Sequence, residues 1–236
     1  MREGFFPQGC VLCGKTPDPF FGLCSDCHES LAIPEADRGR CSICGQPLIS
    51  EQETCLICRD GPEKSFNRLI SLFPYMGRYK KVLREYKFKK RLCLGNFFAE
   101  KILLGLDILL SAECAPDICL VPVPARPGKI KHKGWDQVEY LAKLLHANHS
   151  MPVRRCLKRL PSESQKELDR KNRLQNLKGR IIINNRDSHI PGKNAVPKTA
   201  VLFDDVYTTG ATMEACALAL KSWGTERVFG ICLCYD

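Results

Sequence analysis

The sequence predicts an α/β protein: a parallel sheet flanked by helices, preceded by a small cysteine-rich module. Three observations carry that expectation. From about residue 66 onward, apolar runs of strand length alternate with stretches of helical periodicity. Eight of the fifteen cysteines fall into four C-x2-C pairs, all before residue 60. Near the C-terminus, the apolar run of VLFDDVYTTGAT (201–212) meets two acids and a turn of small residues. At 236 residues the chain has room for a small module over 1–62 and a medium domain over 63–236.

The cysteine pairs come first. Cys10/Cys13 and Cys24/Cys27 map onto Cys41/Cys44 and Cys55/Cys58 by a shift of 31 residues, so C-x2-C-x10-C-x2-C occurs twice. Two residues between cysteines let both thiolates reach one metal ion from a tight knuckle, and two knuckles complete a tetrahedral sulfur site. Glycine follows the second cysteine of each leading pair, at Gly14 and Gly45, where a turn must aim amides at sulfur. Two structural Zn²⁺ ions are expected, with ligands Cys10, Cys13, Cys24, Cys27, Cys41, Cys44, Cys55 and Cys58. Four thiolates leave no open position for water, so these ions would stabilise rather than catalyse. Sequential and crossed ligand pairings both satisfy the spacing. A disulfide framework is the competing reading and needs an oxidising compartment. MREGFFPQGC reaches cysteine before any apolar run, which does not suit a secretory leader. The longest apolar stretch, ILLGLDILL, is too short to span a bilayer. A soluble cytoplasmic protein is expected. Cys93, Cys114, Cys119, Cys156, Cys216, Cys232 and Cys234 sit in apolar or mixed contexts and read as buried small residues.

RDGPEKS (59–65) reads as a linker, LISLFPY as a strand and GRYKKVLREYKFKK as a basic helix. Helical spacing continues over 92–112. ICLVPV is an apolar strand that runs into the basic loop PARPGKIKHKG. WDQVEYLAKLLHAN places Trp135, Val138, Leu141, Leu144 and Leu145 on one helical face. RLPSESQKELDRKNRLQNLKG is a polar surface segment. A strand at GRIIIN, a strand over 199–204, a helix over 210–223 and a closing strand RVFGICLCY complete the pattern.

The net charge of +10 is clustered. Residues 126–180 hold fifteen Lys/Arg against five Asp/Glu, and residues 78–91 hold eight against Glu85 alone. Such clustering suits a polyanionic partner, a phosphorylated small molecule or nucleic acid; a solvated basic face is the plainer alternative. Tyr75, Tyr79, Tyr86 and Phe88 are interleaved with lysines and arginines, as single-stranded DNA requires for stacking along a backbone. Helical spacing assigns about half of these rings to the core instead.

VLFDDVYTTGAT has a specific chemical logic. In a parallel sheet, ligands bind beyond the carboxyl ends of the strands. The free amides and dipole of a helix opening at about Ala211 favour a phosphate, Gly210 admits it closely, and Thr208, Thr209 and Thr212 add hydroxyls. Carboxylates do not bind phosphate, so Asp204 and Asp205 must bind something attached to it; a vicinal diol fits. A phosphorylated ribose accounts for both halves, with residues Asp204, Asp205, Val206, Tyr207, Thr208, Thr209, Gly210, Ala211 and Thr212 as its site. An ordinary capped strand–turn–helix is the plainer alternative and seldom needs two acids.

This stretch resembles the phosphoribosyl-pyrophosphate (PRPP) signature of type I phosphoribosyltransferases. The whole chain is similar to the ComF/GntX (competence protein F) family. Support comes from the double cysteine module, from VPVP followed by Lys133-Gly134-Trp135-Asp136-Gln137, similar to that family's VPVP…RGFNQ block, and from Gln165, Arg173 and Asn176, which fit its Q…R…N segment. Lys133 stands where the family has arginine, and Trp135-Asp136 where it has Phe-Asn. Lysine keeps the charge but lacks the planar fork.

The resemblance implies a type I phosphoribosyltransferase fold, PRPP with Mg²⁺ as ligand, and a role in natural transformation. Single-stranded DNA, a DNA-uptake helicase and DNA-processing proteins are the implied partners, at the cytoplasmic face of the membrane. Three activities fit: a Mg²⁺-dependent phosphoribosyltransferase with an unidentified acceptor, a module that binds single-stranded DNA, and a regulator that binds PRPP without turnover. In the first, pyrophosphate leaves ribose C1 while Asp204 and Asp205 hold the hydroxyls and stabilise a cationic sugar. Arg126, Lys129, Lys131 and Lys133 are the candidate pyrophosphate contacts; Arg159, Lys166 and Arg173 would come from a lid over 159–176. On this view Asp205→Ala abolishes PRPP binding and leaves the fold intact. The five histidines form no catalytic constellation, and the chain lacks the GxxxxGK[ST] loop of an ATP-driven helicase.

Overall fold

A computed structural model describes residues 9–33, 39–111, 118–128, 134–161, 179–184 and 196–236. Four strands form a parallel sheet in the order β1 (Arg68–Pro74), β6 (Arg227–Tyr235), β5 (Thr199–Tyr207), β2 (Ile118–Pro122). A single bridge from Leu120 to Val153 continues the sheet beyond β2, with Leu120 N–H donating to Pro152 O at 2.8 Å. β3 (Leu157–Arg159) and β4 (Ile181–Ile183) pair separately and antiparallel. The expected parallel sheet flanked by helices is therefore what forms.

The strands are buried along nearly their whole length because both faces are covered, as a parallel sheet requires. One face packs on α3 (Gly77–Lys89), α4 (Leu94–Leu110) and α5 (Gln137–His149), through Leu83, Phe97, Ile102 and Leu141 against Leu72, Phe203 and Ile231. The other packs on α6 (Ala211–Trp223), where Met213, Cys216, Ala217 and Leu220 repeat at i, i+3, i+4, i+7 against Cys119, Leu202 and Val228. Successive residues Leu202 and Phe203 serve opposite faces, following the two-residue period of a strand.

The two cysteine repeats fold alike. Cys10 N–H donates to Lys15 O and Gly14 N–H to Cys10 O; 31 residues on, Cys41 N–H donates to Gln46 O and Gly45 N–H to Cys41 O. The short helices α1 (Ser25–Glu29) and α2 (Leu56–Arg59) begin just after the third cysteine of each repeat and were not anticipated. The surroundings of the two repeats differ. The first packs into the core shared with α3, α4 and α5; the second joins the α6 face. The second also covers the edge strand β1: Leu69 N–H donates to Ile43 O at 2.8 Å, and the Arg40 guanidinium donates to Gly45 O and Ser71 O. Gly45 is needed there twice over. Its φ is +67°, and a Cβ would lie 2.6 Å from Leu69 O.

Two boundary shifts bear on the site. β5 continues to Tyr207, because hydrogen bonding to β6 carries on past the acids as far as Tyr235. Trp135 precedes its helix. Asp136 is the N-cap, its carboxylate accepting from Val138 N–H at 2.9 Å and Glu139 N–H at 3.2 Å.

Candidate functional site

From β2 the chain passes through α5 to the extended residues near Val153 on one side, whereas β5 lies on the other side of β2. This reversal makes the carboxyl ends of β2 and β5 the topological switch point, where an open α/β sheet leaves a crevice. Both signature stretches meet there: Val123 N–H, in VPVP, donates to Phe203 O at 3.0 Å, one residue before Asp204.

The paired acids separate. Strand alternation sends Asp204 toward the α6 face, where its charge acts on the Arg159 guanidinium and, after burial, helps push the Cys216 thiol up. Its Oδ1 accepts from Asp205 N–H at 2.7 Å. Asp205 turns toward α3 and α5 and is only 6% exposed. Its Oδ2 pairs with Lys87 Nζ at 2.5 Å and accepts a short hydrogen bond from Gln137 Nε2. Gln137 is fully buried, and its Oε1 has no hydrogen-bond partner among the described residues. The Tyr86 hydroxyl donates to Gln137 O at 2.7 Å; burial pushes that phenol far up, with the Tyr140, Asp136 and Asp205 charges adding to it.

After Tyr207 the chain bends through Thr208 and Thr209 to Gly210, whose φ of +75° caps α6. A Cβ on Gly210 would lie 2.4 Å from the Tyr207 hydroxyl, so glycine alone fits this turn. The first intrahelical bond is Glu214 N–H to Gly210 O, which leaves the Ala211, Thr212 and Met213 amides at the open end. Thr209 Oγ1 makes only a long contact with Ala211 N–H, 3.4 Å.

The Arg159 guanidinium lies near enough to Asp204, and to Arg126, for their charges to interact. Burial lowers the Arg159 pKa, the nearby Arg126 charge lowers it further, and Asp204 partly opposes this. Arg159 Nε is buried with no hydrogen-bond partner among the described residues. Two cations close enough for their charges to interact, one of them with a donor unmet among the described residues, suit an anion. Of the basic candidates, the structure thus brings Arg126 and Arg159 together, while Lys129, Lys131, Lys133, Lys166 and Arg173 lie outside the described residues. Sequence reasoning gave no role to Lys87 or Gln137. One signal for Lys87 existed: it follows Leu83 by four residues and so continues a buried helical stripe.

The cysteines form the second constellation. Cys10, Cys13, Cys24 and Cys27 make one group and Cys41, Cys44, Cys55 and Cys58 the other, with the sulfur atoms of each group within 4.8 Å of one another. The pairing is therefore sequential. Thiolates about 2.3 Å from a common zinc ion lie roughly 3.8 Å apart. The Cys13–Cys24 and Cys44–Cys55 sulfurs, at 3.5 and 3.7 Å, fit that tetrahedron. Burial raises the Cys10 and Cys41 thiols, but backbone N–H donors outweigh it and bring them to about 6 and about 7. Both sets fit Zn²⁺. Cys119, Cys156, Cys216, Cys232 and Cys234 are buried in the core, as expected. Cys93 is half-buried, and Cys114 lies outside the described residues.

Residues 2–60 match the family model of the double zinc ribbon domain. Over 230 residues the chain is 26% identical to competence protein F of Haemophilus influenzae, covering 95% of each chain. The chain is homologous to the competence F proteins. Competence protein ComFC of Streptococcus pneumoniae is 25% identical over 236 residues, covering 93% of this chain and 96% of its own. The DNA utilization protein YhgH of Escherichia coli is 25% identical over 238 residues, covering 97% of each. The competence F relationship thus spans the ribbons and the sheet together. Among the described residues, no helix is long and apolar enough to cross a membrane.

Proposed function

We propose that this chain binds PRPP in the crevice between β2 and β5 and serves in the handling of DNA during its uptake. The observation that carries the first half is the continuity of Asp204–Tyr207 into the glycine-capped first turn of α6 at the switch point of the sheet. In this reading the amides and hydroxyls of Thr208–Thr212 hold the 5-phosphate, Asp204 and Asp205 hold the ribose diol, and Arg126 and Arg159 meet the pyrophosphate. Lys129, Lys131, Lys133, Lys166 and Arg173 would complete the anion contacts. Mg²⁺ would supply charge neutralisation for the pyrophosphate.

The second half draws on the names of the homologues, competence proteins and a DNA utilization protein. Single-stranded DNA would follow the outer side of α3. Lys80, Arg84 and Lys90 are exposed there, and Phe88 is 55% exposed. Lys80 also lies over the Tyr75 ring at 5.0 Å. Tyr86 is buried and Tyr79 stacks on Phe73, so these two rings belong to the core. In this reading the protein works at the cytoplasmic face of the membrane beside a helicase and DNA-processing proteins.

With a suitable acceptor the site would be a phosphoribosyltransferase. A second reading, a PRPP-binding regulator without turnover, is favoured by the Lys87–Asp205 pair. An acid already matched by an ammonium group stabilises a cationic sugar less well.

Calorimetric titration with PRPP and Mg²⁺ tests the ligand. Wild-type protein is expected to bind, and Asp204→Asn to weaken binding by about tenfold or more, the loss of one charge-assisted hydrogen bond. Equal affinity in the two proteins rejects the ribose assignment. Pyrophosphate release with trial acceptors separates enzyme from regulator. For DNA, affinity for a single-stranded oligonucleotide is expected to fall steeply between about 50 and 200 mM salt and to weaken further in Arg84→Ala. Salt-independent binding, or none, removes that role.

A further inference from the structure

α3 carries most of its basic residues outward, with one exception. Lys87 and Asp205 expose only 16% and 8% of their side chains, and they meet at 2.5 Å. Gln137, the first residue of α5, donates to the same oxygen, Oδ2, from a second helix. The two helices are themselves joined at this point. The Tyr86 hydroxyl donates to Gln137 O, and Trp135 Nε1 donates to Lys87 O at 3.3 Å. An ammonium and an amide, each fixed by its own helix, therefore converge on one carboxylate oxygen. A carboxylate has about four acceptor positions, so anchoring Oδ2 from two directions sets the heading of the others.

We propose that Lys87, backed by Gln137, is the positioning residue for Asp205, holding its carboxylate in the orientation that receives the ribose diol. The inference rests on the PRPP reading of the crevice. It adds a specific division of labour. The sugar depends on Lys87 through Asp205, whereas the pyrophosphate depends on Arg126 and Arg159 on the Asp204 side. A merely structural pair, tying α3 to the sheet, makes no such distinction between ligands.

Calorimetry with PRPP–Mg²⁺ and, separately, inorganic pyrophosphate–Mg²⁺ tests it on wild-type protein, Lys87→Met and Lys87→Arg, with a thermal melt of each. Lys87→Met is expected to weaken PRPP binding by about tenfold or more, since small misplacements are costly at such sites. Pyrophosphate affinity is expected to stay within about twofold, because that subsite lies apart. Lys87→Arg, which keeps the charge, is expected to recover most of the PRPP affinity. Unchanged PRPP affinity in Lys87→Met, or equal losses for both ligands, overturns the inference. If Lys87→Met shows no folding transition, Lys87→Gln is judged by the same two affinities. Wild-type protein that binds pyrophosphate but not PRPP, or neither, overturns the PRPP reading beneath it.

Discussion

Loss of metal from the Cys41–Cys58 site is expected to unfold the second ribbon and strip the cover from β1. The sulfurs there sit in the core shared with the α6 face, and Ile43 and Arg40 bond directly to the edge strand. Zinc sites of this type contribute roughly 10–16 kcal/mol in isolated peptides, as much as the whole stability of an ordinary domain. Elemental analysis is expected to find about two zinc ions per chain, one for each set of four cysteines. Cys44→Ala, which removes a buried ligand, is expected to reduce this to about one and to lower the melting temperature by about 10 °C or more in scanning calorimetry. A folded metal-free protein that melts at the wild-type temperature contradicts the assignment.

The second large effect concerns Asp205→Ala. Reasoning from sequence makes this a clean ligand-binding variant with the fold intact. The structure gives a different expectation, because the substitution strands Lys87 and Gln137 beside an apolar gap. Breaking a buried pair by removing one partner costs about 3 kcal/mol or more, so urea unfolding should show that loss together with loss of PRPP binding. Removing both charges, in Asp205→Leu with Lys87→Met, should recover much of the stability and none of the binding. A single variant within about 0.5 kcal/mol of wild type indicates that the pair does not matter to the fold. Asp204, which is half-buried, is the better probe of the ligand alone.

The parts legible in the sequence are those fixed by local pattern. ICLVPV and RVFGICLCY are apolar on both faces, as strands covered on both sides must be. The repeated C-x2-C spacing marks the eight metal ligands, while the grouping of four sulfurs within each repeat comes from the structure. The turn at Gly210 follows from the need for a positive φ. What sequence could not supply are contacts made across the fold. Gln137 and Asp205 stand 68 residues apart, and nothing in either neighbourhood marks the other. The opposite headings of Asp204 and Asp205 depend on β5 continuing past them, which depends on its pairing with β6. Likewise, two repeats with the same internal bonds join different faces of the sheet because the surfaces they meet differ. β3 has only three residues, too few for a periodic signal.

The grip of the second ribbon on Leu69 and Ser71 has a consequence for how the polypeptide can be cut. A fragment beginning at the first long strand would keep every element of the sheet yet present that strand's flank as a bare template for a neighbouring molecule. The leading module is thus a built-in shield against self-association, and shortening the protein to its sheet-bearing part would yield aggregates rather than a smaller working unit.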